Sequence, residues 1–181
     1  MRTVLNYWTK KDMRFTLVIF ALLAFVSCDK REEEMSENVT VNQYVDLLVK
    51  GKYSSMELPS FTAADIPELL EYRDSRQKIS NFPINWISSS LTEESTLGMY
   101  VLWTVESIRA VAIDSEFLIG RFPSQNPVVQ MRASPFEYVP EDESLEIVAE
   151  AYMEWWQKNK DRAFDEFKEV DPMLSTDLRW H

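Results

Sequence analysis

The sequence predicts an all-α fold in which helical hairpins gather around one central apolar helix. Three observations predict it. Only 3 glycines occur among the 181 residues, which leaves little room for glycine-dependent β-hairpins or phosphate-binding loops. Apolar residues recur at spacings of three and four in separate stretches, the pattern of amphipathic helices. Asp65-x-x-Glu68 and Ser90-x-x-Glu93 carry the spacing of capping boxes in front of apolar runs.

Taken in order, Val41, Tyr44, Val45, Leu48 and Val49 form the first stripe, with Thr40 as N-cap and Gly51 as stop. Residues 54–60 read as a loop. A short helix begins at Asp65, with Pro67 in its first turn and Leu69, Leu70 and Tyr72 directed inward. Asn81-Phe82-Pro83-Ile84-Asn85-Trp86 is a proline-punctuated connection. From the Ser90 start to about Ala112 the chain is apolar on nearly all sides: Leu97, Val101, Val105 and Ile108 make one face, Met99, Leu102 and Trp103 another. A helix apolar all round belongs in the middle of a fold. Residues 114–140 give no consistent pattern. Phe117-Leu118-Ile119 reads as a helix end or a short strand, and Pro123, Pro127, Pro135 and Pro140 break up the rest of this stretch. From Glu141 the helical pattern returns, with Leu145, Val148, Tyr152 and Trp155 as one stripe. It is expected to run to about Asn159 and continue through Phe167 before Asp171-Pro172 ends it.

The first 40 residues have a different logic. Arg2, Lys10, Lys11 and Arg14 stand against the single acid Asp12, and Phe15–Val26 is then an apolar stretch of 12 residues with Thr16 near its start. A membrane-spanning helix needs about 20 such residues, so this run has the length of a signal segment and not of a permanent span. It closes at Ser27-Cys28, the only cysteine of the chain, and Asp29-Lys30-Arg31-Glu32-Glu33-Glu34 comes immediately after. The arrangement resembles a bacterial lipoprotein signal, with Phe25 where leucine is usual. That resemblance implies a signal peptide over residues 1–27, cleavage before Cys28, and acylation of Cys28. Each acyl chain contributes roughly 0.8 kcal/mol per buried methylene to membrane attachment. Residues 28–40 are then an acidic, disordered tether, and 41–181 a single helical domain. The acidic tract also resembles the export signals of surface lipoproteins of the Bacteroidota, which implies an outer-membrane protein displayed on the cell surface.

The segment Phe61–Tyr72 resembles one half of a HEAT-type helical repeat, and Leu97–Arg109 looks like the second helix of such a unit. Together with the leader and the ending Trp155-Trp156, Asp171-Pro172 and Arg179-Trp180-His181, the chain is similar to a family of uncharacterised lipoproteins of the Bacteroidota. The resemblance implies fold and address, and brings no catalytic residue with it.

Composition narrows the chemistry. The leader carries four bases and one acid, so without residues 1–27 the net charge moves from −11 to −14. A domain this acidic repels phosphate backbones, which argues against nucleic acid as a partner. His181 is the only histidine and the last residue. That excludes Ser-His-acid and Cys-His nucleophilic sites and zinc sites needing two histidines; His181 itself is expected to be a solvated or frayed end. No cofactor or metal site is expected. Carboxylate-based hydrolysis stays open through Glu93-Glu94 and Glu141-Asp142-Glu143, although acids at helix starts already complement the helix dipole. The aromatic residues offer more: Trp86 lies in a proline loop, and Trp155 and Trp156 lie about 100° apart around a helix, so both need not face the core. The leading expectation is a non-catalytic, lipid-anchored domain that binds a protein partner. A glycan-binding accessory role, with Trp86, Trp155 or Trp156 as stacking platforms, is the alternative, and a carboxylate hydrolase the third.

Overall fold

Thirteen of the sixteen residues of one helix, Leu97–Ala112, are buried, and the other elements are arranged around it. The computed structural model describes residues 39–88 and 93–181; Cys28, the acidic tether and the expected helix start at Ser90 lie outside them. The elements are α1 (Val41–Val49), a 3₁₀ turn at Ala63–Asp65 that runs into α2 (Ile66–Leu70), β1 (Lys78–Ser80), β2 (Glu94–Thr96), α3 (Leu97–Ala112), β3 (Val129–Met131), β4 (Tyr138–Val139), α4 (Glu141–Asn159), a second 3₁₀ turn at Phe164–Glu166, and β5 (Leu178–Trp180).

The architecture is therefore mixed α/β, which corrects the all-α expectation. β1 and β2 pair antiparallel with Lys78 opposite Thr96 and Ser80 opposite Glu94. A second antiparallel sheet has the order β4-β3-β5, with Val129 opposite Val139 on one side and Trp180 on the other. The physical reason for the miss is length. Strands β1 to β5 are two or three residues long, too short to show an alternating pattern, and Val129 meets a partner at Trp180, far along the chain. The HEAT-like hairpins fail at the same places. Residues 61–72 make a 3₁₀ turn and a five-residue helix, and α3 is entered directly from β2. Beyond Asn159 the chain turns instead of continuing as helix to Phe167.

Local chemistry explains where the elements begin and end. α1 starts with a reciprocal cap: the Gln43 N–H donates to Thr40 Oγ1 at 3.3 Å and the Thr40 N–H to Gln43 Oε1 at 3.1 Å. It stops at Gly51, whose φ of 61° lets its N–H reach Leu48 O at 3.0 Å while Lys52 N–H reaches Leu47 O at 2.8 Å. The cap sits at Thr62, three residues earlier than the Asp65–Glu68 spacing suggests, with Asp65 as its partner, accepting from the Thr62 N–H at 2.8 Å and the Thr62 hydroxyl at 3.0 Å. The α3 cap is Thr96, which accepts from the Met99 N–H at 3.2 Å; pairing of residues 94–96 with β1 holds this segment extended and moves the helix start past Glu93. Glu141, in the first turn of α4, accepts from the Ser95 hydroxyl at 2.6 Å and the Thr96 N–H at 2.8 Å. One carboxylate thus ties the starts of the two long helices together.

Packing around α3 is close. The Gly98 N–H donates to Ser75 O at 2.9 Å and the Leu97 N–H to Gln77 O at 2.8 Å, so the chain after α2 runs directly over the first turn of α3. Leu145, Val148, Tyr152 and Trp155 on the inward face of α4 are also buried. Trp103 stacks on Phe122 with ring centroids 5.5 Å apart. A polar network crosses this interior. Arg109 Nε donates to Glu106 Oε2 at 3.1 Å, the Tyr152 hydroxyl donates to the same oxygen at 2.7 Å, and Trp180 Nε1 donates to the Tyr152 hydroxyl at 2.8 Å. Burial, reinforced by Glu106, holds the Tyr152 phenol well above its ordinary range. Among the described residues no helix is long and apolar enough to cross a membrane.

Candidate functional site

Asn85 organises the most unusual surface of the molecule. It is 1% exposed, and its amide works at both ends: Oδ1 accepts from the Ile87 N–H at 3.1 Å, and Nδ2 donates to Ser124 O at 3.1 Å. With Ser88 N–H donating to Asn85 O at 3.0 Å, residues 85–88 form an Asx-type turn. The residues at its corner are Trp86 and Ile87, exposed by 70% and 56%. The turn is fastened to the central helix, because the Ser124 hydroxyl accepts from Trp103 Nε1 at 2.8 Å and donates to Asn126 O at 3.1 Å. Two large apolar side chains are therefore presented to solvent by rigidly held backbone.

A polar strip leads away from this turn. The Ser88 hydroxyl donates to Asn126 Oδ1 at 3.1 Å, Asn126 Nδ2 lies 3.3 Å from His181 Nδ1, and His181 Nε2 lies 2.9 Å from the Tyr138 hydroxyl. With Asn126 Oδ1 accepting from Ser88, its Nδ2 donates to His181 Nδ1, which leaves Nε2 as the protonated nitrogen that donates to Tyr138. His181 is also held by its backbone: its N–H donates to Val128 O at 3.0 Å and its carbonyl accepts from the Gln125 N–H at 2.9 Å. The residue expected to be frayed is thus pinned beside β3. Burial lowers the His181 pKa below the usual histidine value, and the Arg179 charge lowers it further.

Beyond the strip stands Phe136. Its ring lies 6.5 Å from that of His181, and the Tyr138 ring packs edge-on against His181 at 4.9 Å. Phe136 is 76% exposed and has φ of 72°. A bulky residue in the left-handed region is an outlier and persists only where its surroundings impose it. Here the buried Gln130 imposes it, its Oε1 accepting from the Phe136 N–H at 2.8 Å. The surface thus has Trp86 and Ile87 at one end, Phe136 and Tyr138 at the other, and a hydrogen-bonded polar strip between them.

Of the three tryptophans named from the sequence, only Trp86 takes part. Trp155 is 4% exposed and packs against Tyr152, Trp156 and Phe167, which removes it as a stacking platform. Trp156 is half-buried, its ring 6.2 Å from those of Trp155 and Phe167. Cys28 lies outside the described residues. The two acidic clusters do meet, at Lys78, whose Nζ is 3.8 Å from Glu94 and 3.5 Å from Glu141; Glu141 already serves Ser95 and Thr96. Among the described residues no three of His, Cys, Asp and Glu converge as metal ligands. Sequence reading missed Asn126, Phe136 and Tyr138, which lie in the proline-broken stretch, and took His181, which pairs with that stretch, for a frayed end. The turn was within reach, because Asn85 two residues before Ile87 has Asx-turn spacing. The φ of Phe136 has no signal in the sequence.

The fold and this surface define a mixed α/β domain with rigidly presented aromatic side chains. By sequence the chain belongs to a family described as a domain of unknown function (DUF4943), whose model matches residues 35–181. No curated protein and no solved structure matches it.

Proposed function

We propose that the protein is a non-catalytic binding module, attached to the bacterial outer membrane through acylated Cys28 and carrying a protein-docking surface centred on Trp86 and Ile87. One observation carries the docking surface: a turn built by a buried asparagine exposes a tryptophan and an isoleucine side by side. Tryptophan is the residue type most enriched among interface residues that dominate binding energy, and rigid presentation lowers the entropic cost of docking. The anchor rests on the apolar run Phe15–Val26 and the Ser27-Cys28 that closes it. The tract Asp29–Glu34 supports outward display, as in surface lipoproteins of the Bacteroidota. A glycan is the second reading, favoured by the interleaving of aromatic rings with hydroxyl, amide and imidazole groups from Ser88 to Tyr138.

Photo-crosslinking on intact cells tests the docking surface. A photoreactive residue at Ile87 is expected to capture one recurrent protein, and the same group at exposed Glu71, just past α2, is not. Trp86→Ser should abolish the Ile87 adduct. Adducts of equal pattern at both positions, or an Ile87 adduct indifferent to Trp86→Ser, would refute protein docking here. Binding of a glycan array that disappears in Trp86→Ser would select the second reading.

A further inference from the structure

Arg179 is the one arginine among the described residues that meets no acceptor. Arg76, Arg109, Arg132 and Arg162 pair with carboxylates, and Arg73 and Arg121 donate to backbone carbonyls. Arg179 makes no hydrogen bond and no ion pair, in a chain with 30 acidic residues against 19 basic ones. Strand pairing places its side chain. Arg179 lies opposite Gln130, and Gln130 lies opposite Tyr138 on its other side, so the three share one face of the β4-β3-β5 sheet. His181, two residues on, belongs to the same face, and the Arg179 charge reaches it, adding to the effect of burial in lowering the His181 pKa. The other face is the inward one, with buried Val129 and with Trp180, whose Nε1 donates to Tyr152.

Arg179 is half-buried, and its nitrogens are unequal. Nε is sealed from solvent, while Nη1 and Nη2 keep accessible surface. The protein thus encloses the inner edge of the guanidinium and leaves the outer edge open. A planar fork of open N–H groups is the complement of a carboxylate, and the acidic chain around it disfavours a polyanion. The polar groups nearby are spent on one another: Ser88 on Asn126, and Asn126 and Tyr138 on His181. That leaves a sugar acid few partners for its hydroxyls and favours a carboxylate on a protein side chain. We infer that the Nη edge of Arg179 receives a carboxylate of a bound ligand, supplied by an acidic side chain of a protein partner. Its assignment to a protein rests on the docking reading above; the carboxylate site does not.

The only histidine of the chain reports on the site, so the full chain is labelled with ¹⁵N-histidine. The probe is N-acetylglutamic acid α-amide, with N-acetylglutamine amide as its neutral twin, at constant ionic strength. At about 100 mM a single charge-assisted contact already gives measurable occupancy. The acid is expected to shift the His181 imidazole signal saturably and to raise the His181 pKa, because a bound carboxylate offsets the Arg179 charge. The neutral twin is expected to do neither, and Arg179→Gln to abolish the response to the acid. An unmoved signal, an equal response to the neutral twin, or an undiminished response in Arg179→Gln would overturn the carboxylate site. Glucuronate binding more tightly than the amino-acid probe would overturn the assignment to a protein side chain. In intact cells Arg179→Gln should weaken the Ile87 adduct, and an unchanged adduct would overturn that same assignment. If the parent chain gives no Ile87 adduct while the probe still binds, protein docking fails and the carboxylate site stands.

Discussion

Replacing Gly98 by alanine sets helix propensity against packing, and the structure decides the sign. In an exposed helix the change would stabilise by about 1 kcal/mol. At Gly98, a Cβ would lie 2.5 Å from Arg73 O and 2.9 Å from Ser75 O. Both are backbone atoms, so no side chain can swing aside. Relief requires the segment 73–77 to retreat from α3, which breaks the hydrogen bonds from Gly98 N–H to Ser75 O and from Leu97 N–H to Gln77 O. Each contributes about 1 kcal/mol net, and overpacking of this kind adds about 1–3 kcal/mol. After subtracting the propensity gain, the variant should lose about 2–4 kcal/mol. For a domain of this size that is a fall in melting temperature of about 6–12 °C. Urea unfolding monitored by tryptophan fluorescence measures it directly, with Gly51→Ala as the comparison. Gly51 has φ of 61°, but its nearest neighbour to an added Cβ is 3.4 Å away, so only the conformational cost of about 1–2 kcal/mol applies. If Gly98→Ala is as stable as the parent or more so, the close passage of residues 73–77 over α3 is wrong, and with it the placement of β1 against β2.

The remaining predictions probe other parts of the structure. Arg109→Met leaves Glu106 buried without its charge partner and should destabilise by about 3–5 kcal/mol; adding Glu106→Gln should restore part of that loss in a urea titration. His181 has a pKa below the usual histidine value of 6.5, so the unfolded chain takes up its proton first. Stability should be full above pH 6.5 and fall as the pH drops toward the folded-state value, and His181→Gln should remove that slope. In an alkaline difference spectrum Tyr44, Tyr100 and Tyr152, raised well above 10 by burial, and Tyr53, raised to about 12, should stay silent near pH 10 and ionise together on unfolding. Trp86→Ser should shift the melting temperature by no more than about 2 °C while abolishing docking, measured by crosslinking at Ile87.

The helices were legible because their burial obeys local spacing. The stripe Leu145, Val148, Tyr152 and Trp155 points inward as its period requires, and α1 stops at Gly51 because only a residue tolerant of positive φ fits there. The strands were illegible because they are consequences of tertiary contact. Nothing in Val129-Gln130-Met131 announces a strand until Leu178–Trp180 and Tyr138–Val139 lie on either side of it. Ser90-x-x-Glu93 has the letters of a helix start, but the chain is held extended through Thr96 by pairing with β1, and long-range pairing outweighs one cap. His181 shows the same limit. As the last residue of an acidic chain it reads as frayed, and it becomes ordered through Gln125, Asn126, Val128 and Tyr138, none of which is near it in sequence.

The tryptophans separate what folding needs from what it does not. Trp103 fills the centre and spends its N–H on Ser124, and Trp180 links β5 to Tyr152; removing either would cost packing and a buried hydrogen bond. Trp86 contributes neither. Isolated exposed apolar side chains are ordinary on protein surfaces, and Met56, Phe117 and Leu174 need no special account on exposure alone. Trp86 differs in its support. A buried Asn85, Ser124 and the indole of Trp103 all go to holding the backbone of a turn whose outward residues are tryptophan and isoleucine. At the far end of the same strip, Gln130 holds Phe136 in a conformation it would not choose. Folding alone would be served as well by serine or asparagine at either tip, at lower risk of aggregation. Structure invested in fixing side chains that the fold does not use is the physical argument that something else uses them.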